Sequence, residues 1–189
     1  EKGINEYSSK AAAGVSSDLF YSSLTEIGYN VEVVPFAQVD PSQFDNYDIV
    51  IVSSGINTVG INNADVRAAL ISRANSGGKI WMEGGEVGYH YRKGSGLDDP
   101  FRQMVLHDST WDTDNSAGDV TFALSDHPIF NYPNQLTAPI TFTTRSSYAD
   151  KDAMQLIPDD LGALQVGAWS AYPNDASIIV WRSEEHTSE

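Results

Sequence analysis

Two short, continuously apolar runs frame the most regular part of the chain, Asp48 to Val52 and Lys79 to Met82. Continuous apolar runs of this length suit strands buried on both faces of a parallel sheet. Between them, Val66, Ala69, Leu70 and Ala74 fall on one stripe of a helix expected from about Asn63 to Ser76, while Asp65, Arg67 and Arg73 fall away from it. Asn62 or Asn63 can cap its start, and Gly77-Gly78 suit a left-handed stop. The pattern is that of a strand–helix–strand crossover, which is right-handed and parallel, so both following loops emerge at one edge of the sheet. Ligands of open α/β sheets bind at that edge. Ser53, Ser54, Gly55, Glu83, Gly84, Gly85 and Glu86 are therefore the candidate ligand-binding residues.

On either side the pattern changes. Phe20, Leu24 and Ile27 predict a helix from Ser17 to Ile27 closed by Gly28, followed by a strand from Tyr29 to Phe36. A helix feeding a parallel strand normally follows an earlier strand, and residues 1–14, rich in Ser, Ala, Lys and Gly, do not resemble one, so a first strand is expected upstream. Asp40-Pro41 starts a helical turn, and Pro100 to Leu106 forms a short helix with Asp99 as cap. Thr110 to Asp119 reads as a polar loop. Val120 to Leu124, Ile140 to Thr144, Gly162 to Trp169 and Ser177 to Trp181 read as strands, expected to add antiparallel edges to a parallel core.

The final octapeptide, Arg182 to Glu189, resembles the translation of a sequencing adapter and is expected to be a non-native tail. The expected organisation is one truncated α/β domain over residues 1–181. At 189 residues, 41% hydrophobic and 11% aromatic, the chain has enough apolar material for one core. Its net charge of −15 disfavours nucleic acid and anionic membrane as partners, and no apolar run is long enough to span a bilayer. The absence of cysteine removes disulfides, thiolate metal sites and a cysteine nucleophile together.

The turn from Glu83 to Tyr89 is the sharpest chemical feature. A tight turn after a buried strand presents its central side chain at the sheet edge, as nucleophile elbows do, and that side chain here is Glu86. Glu86 is thus either a nucleophile or base, with Glu83 as its carboxylate partner, or a cap for the following segment. His90 and His127, with Glu86 and Asp126, contain metal-ligand chemistry, although the spacing does not demand a metal and loop-anchoring histidines account for it equally. His107 reads as a helix-end dipole contact. Asp112 to Asp119 invites a calcium reading, but an EF-hand loop needs Gly and Glu where Ala117 and Ala123 stand. Phosphate-binding loops, dinucleotide fingerprints and serine-hydrolase or zinc-protease motifs are missing from the sequence.

Tyr47 to Gly55, Gly77 to Gly88 and, more weakly, Asp126 to Ile129 together resemble the class I glutamine amidotransferase-like superfamily, over about residues 15 to 130. More narrowly, the chain resembles the amidotransferase-like modules of large secreted bacterial proteins. The resemblance implies a three-layer α/β/α flavodoxin-like sandwich with a mainly parallel sheet, its first strand missing, and extra strands in the C-terminal half. Members place a cysteine at the elbow, where this chain has Glu86, so the thiol reaction cannot be carried over. The expectation is a non-catalytic structural or binding accessory, extracellular or on the cell surface, with no cofactor. Its partners would be other domains of the same polypeptide and a glycan or small molecule. Two alternatives stand beside it. One is a hydrolase of carbohydrates or amides using a metal or carboxylate through Glu86 with His90 or His127. The other is a carbohydrate-binding module stacking sugars on Trp81, Trp111 or Trp169.

Overall fold

The computed structural model describes residues 15–55, 61–92, 94, 99–113, 118–141 and 151–182. Expectations for residues 1–14, the loop at 56–60, the centre of the proposed calcium loop at 114–117, the end of the strand expected at 140–144 and the tail at 183–189 lie outside them.

Helix α1 (Val15–Glu26) is followed by a segment without regular structure and two 3-10 turns, Phe36–Gln38 and Pro41–Asn46. Asp40 caps the second by accepting the Ser42 N–H at 3.0 Å. Strand β1 (Ile49–Ser53), helix α2 (Ala64–Asn75) and strand β2 (Lys79–Glu83) form the expected crossover, with β1 and β2 parallel and Ser53 opposite Glu83. Asn63 caps α2 by accepting the Asp65 and Val66 N–H groups, and Gly77 takes the left-handed conformation just beyond its end (φ 77°). Val50, Val52, Val66 and Leu70 join Phe44, Ile61, Tyr91 and Phe101 in one apolar core.

A short helix α3 (Val87–His90) follows β2, and α4 (Asp99–Phe101) runs on into a π-type turn over Arg102–Leu106. The rest is a five-stranded antiparallel sheet of β3 (Asp108–Thr113), β4 (Val120–Phe122), β5 (Ala153–Leu156), β6 (Ala163–Trp169) and β7 (Tyr172–Trp181), ordered β3-β5-β7-β6-β4, with helix α5 (Pro128–Asn131) between β4 and β5. Val120, Ala153 and Trp169 make a second core cluster.

This corrects the expected fold. Among the described residues the protein is a mixed α/β structure whose larger sheet is antiparallel and whose parallel sheet has two strands, not a flavodoxin-like sandwich with a mainly parallel sheet. The physical cause is visible in β2 and in the segment after α1. A central parallel strand is covered on both faces. Val50 to Ser53 of β1 meet that condition, but β2 is only partly covered and Trp81 is 44% exposed. Tyr29 to Pro35 has no regular structure and joins no sheet among the described residues, and Val33 remains exposed. The second half does not decorate a parallel core. It forms its own sheet, in which β6 and β7 are linked by the tight turn at Ser170-Ala171, a connection only antiparallel strands allow.

Candidate functional site

The carboxyl edge of β1 and β2 forms as the crossover requires. The Ser53 hydroxyl donates to the Glu83 carboxylate. Beyond the strands, Ser54 N donates to Glu83 O at 2.8 Å and Gly85 N donates to Gly55 O at 2.9 Å. Gly84 is held so close that a Cβ there would lie 2.7 Å from Ser54 Cβ. Ser53, Ser54, Gly55, Glu83, Gly84, Gly85 and Glu86 are therefore brought together, with the side chains of Ser53, Ser54 and Glu86 buried.

Glu86 opens α3 (φ −112°, ψ 16°) but makes no side-chain capping hydrogen bond; its carbonyl accepts the His90 N–H at 2.9 Å. The cap comes from the other half of the chain. Asp152 Oδ2 accepts the N–H groups of Gly88 at 2.7 Å and Tyr89 at 3.1 Å, and its Oδ1 accepts Trp111 Nε1 at 2.6 Å. The Asp152 carbonyl accepts Trp169 Nε1 at 2.8 Å. A carboxylate on the free N–H groups of a helix start satisfies donors that would otherwise be orphaned and complements the dipole there. Gly88 permits the approach, since a Cβ would sit 2.8 Å from Met154 of β5.

His90 stands edge-on to Tyr91, with ring centroids 4.8 Å apart. Burial foremost, then the charges of Arg67 and Arg92, hold its pKa below the usual histidine value. His127 lies at a different point of the fold. It caps α5, Nδ1 accepting the Ile129 N–H at 3.3 Å, and Asp126 beside it is exposed. Among the described residues no group of three or more His, Asp or Glu side chains is placed to hold a metal. Of the tryptophans, Trp169 is buried, Trp111 is half-buried and tied to Asp152 and Tyr89, and Trp81 is exposed with Phe20 edge-on at 6.1 Å.

Several residues that organise the site and its surroundings carry no visible sequence signal. Asp152 lies 64 positions from Gly88, before a four-residue strand too short to show alternation. Arg67 and Arg73, assigned to the polar side of α2 by residue type, are both buried. Arg73 donates to the carbonyls of Phe44 (2.9 Å), Tyr47 (2.8 Å), Asp48 (2.9 Å) and Lys79 (3.1 Å). His107 adopts the left-handed conformation (φ 55°), bonds Asp160 Oδ2 through Nδ1 at 2.8 Å and stacks on Trp181 at 4.7 Å. Burial lowers its pKa while Asp160 acts in the opposite direction. Asp112 lies against Asp175 of β7, where burial first and then the Asp112 carboxyl push the Asp175 pKa up against a hydrogen bond from Gln155.

Comparison with protein-family models gives no match, and comparison with curated proteins gives none either.

Proposed function

We propose that this chain is a non-catalytic accessory module, structural or ligand-binding, of a secreted bacterial multidomain protein. The observation that carries the reading is the occupancy of the turn after β2. Elbow chemistry needs a presented nucleophile beside free backbone N–H groups that can stabilise an oxyanion. Here Glu86 is 5% exposed, and the N–H groups of Gly88 and Tyr89 are already engaged by the Asp152 carboxylate. A substrate oxyanion would have to displace a buried charge from a hydrogen-bonded position. The turn thus serves to join the crossover to the antiparallel sheet. The net charge of −15 and lack of cysteine are compatible with an extracellular setting.

The test is a panel of chromogenic amides, esters and glycosides assayed on the purified chain and on Glu86→Gln. No turnover above buffer by either protein is expected. Turnover by the parent chain that Glu86→Gln abolishes, with its unfolding curve unchanged, overturns the reading.

A further inference from the structure

Helix α2 carries two buried arginines that are used differently. Arg73 is saturated by backbone carbonyls and has Asp45 at 3.7 Å. Arg67, 8% exposed, donates through Nη1 to Ile61 O at 2.7 Å, while its Nε is buried without a hydrogen-bond partner among the described residues. Ile61 in turn donates its N–H to the Tyr91 hydroxyl, and Tyr91 stands edge-on to His90. His90 repeats the anomaly: its Nε2 is buried and has no partner among the described residues. Arg92 folds back across the Tyr89 ring, 3.7 Å from its centroid, with Nη1 donating to Tyr89 O at 2.7 Å. One chain of hydrogen bonds and an edge-on ring contact thus links two unsatisfied buried nitrogens, and the charge of a second guanidinium, Arg92, acts on His90.

Buried polar atoms are almost always satisfied, and an orphan in a native structure marks the place of a missing water, ion or ligand. The chemistry of these orphans selects among those. The Nε edge of a guanidinium presents N–H donors in the fork that matches a carboxylate or phosphate. In a chain with net charge −15, Arg67 makes no ion pair with any acidic residue among the described residues. After burial, which lowers the His90 pKa most, the Arg67 and Arg92 charges both oppose its protonation. An anion in this position would satisfy the Arg67 edge, screen the two guanidiniums and favour the protonated, doubly donating form of His90.

We propose that Arg67, His90 and Arg92 form an oxyanion-binding site beside the carboxyl edge of β1 and β2, which takes a small ligand through a carboxylate or phosphate group. The inference rests on the reading of this edge as a binding surface. It goes beyond that reading by placing the contact on α2, on α3 and on Arg92 just after it, and by fixing the charge of the ligand.

The experiment titrates the full chain at neutral pH with inorganic phosphate and, separately, with acetate, using chloride at equal ionic strength as the control. The readout is the His90 ring resonances, identified by their absence from His90→Gln. A saturable shift with phosphate or acetate, beyond the chloride response, is expected, together with a rise in the His90 pKa. The stronger of the two probes assigns the ligand group. Arg67→Lys, which keeps the charge and loses the fork, and Arg92→Gln should each weaken the response severalfold. No saturable response to either probe, or responses in both arginine variants equal to that of the parent chain, overturns the proposal. Turnover in the hydrolase panel would overturn the non-catalytic reading and leave this site standing, so the two fail separately.

Discussion

Asp152 holds the start of the helix that contains Gly88. Its carboxylate accepts the Gly88 N–H at 2.7 Å, joining the antiparallel sheet to the turn that follows the parallel pair. Because Asp152 also accepts Tyr89 N and Trp111 Nε1, removing its side chain leaves three donors unmatched, two of them from the backbone. An unsatisfied buried donor costs about 1–3 kcal/mol, so Asp152→Ala is expected to lose about 3 kcal/mol or more in urea unfolding. Asp152→Asn keeps the shape but replaces one acceptor with a donor, and should lose about 1–2 kcal/mol. A change in either variant within the scatter of the parent chain would mean that the contact contributes little.

Arg73 makes a prediction about side-chain shape rather than charge. A single guanidinium reaches four carbonyls that belong to the 3-10 turn before β1, the two residues leading into β1 and the start of β2. Arg73→Lys keeps the charge but has no planar fork, so it cannot span these acceptors. It should lose about 2 kcal/mol, and Arg73→Met about 3 kcal/mol or more because every carbonyl is abandoned. The pair separates the two contributions: equal losses would show that charge is irrelevant at this position, and no loss in Arg73→Lys would show that the fork is.

The crossover was legible in the sequence because its signals are local. The apolar run of β1, the Asn63 cap, the stripe on α2 and the Gly77 stop each act within a few residues of where they are read. From these follow the shared edge and the gathering of Ser53, Ser54 and Gly55 with Glu83, Gly84, Gly85 and Glu86. The larger sheet was only partly legible. Val120 to Phe122 and Ala163 to Trp169 were marked by β-formers, and β7 extends to Tyr172 beyond its apolar half. Strand β3, with Asp108, Ser109, Thr110 and Asp112, carries the composition of a loop and is a strand because β5 pairs with it. Hydrophobicity also assigned Arg67 and Arg73 to solvent, whereas carbonyl acceptors bury them. What the sequence conceals is the long-range polar contact, whose partners are set by the fold and not by spacing.

Asp108 gives a pH dependence. It is fully buried, and burial pushes its pKa up to about 6 despite the Arg102 charge and the hydrogen bond from Thr110 N. Above pH 6 the carboxyl is ionised in both folded and unfolded chains, and the folded state bears the cost of a buried charge. As the pH falls below about 6, the folded chain takes up the proton first, so stability rises until the unfolded value of 3.8 is passed. The upper bound on the gain is about 3 kcal/mol, from about two pKa units. His90 and His107, whose pKa values are lowered, act in the opposite sense over the same range. The measurement is therefore the difference between the parent chain and Asp108→Asn in unfolding free energy at several pH values. The variant's advantage at pH 7 should shrink as the pH falls to 4; a difference independent of pH rejects the raised pKa.

Two glycines at the candidate site should respond unequally to alanine. At Gly84 (φ 153°) a Cβ would meet Ser54 Cβ at 2.7 Å and Val87 Cγ2 at 3.2 Å. Those atoms sit close to the backbone of a buried turn, so they cannot withdraw without breaking the Ser54 N to Glu83 O hydrogen bond. At Gly88 the nearest atoms are Met154 Cγ and Sδ, both 2.8 Å away, and a methionine can change rotamer, with Asp152 Cβ next at 3.2 Å. Gly84→Ala is expected to lose about 3 kcal/mol through overpacking. For Gly88→Ala the loss is about 1 kcal/mol, offset in part because alanine favours the helix over glycine. Thermal unfolding of both variants beside the parent chain decides the order. If Gly88→Ala is the more damaging, the contact between α3 and β5 is tighter than the turn itself, and the rigidity of the site originates in Asp152 and Met154 rather than in the glycine pair after β2.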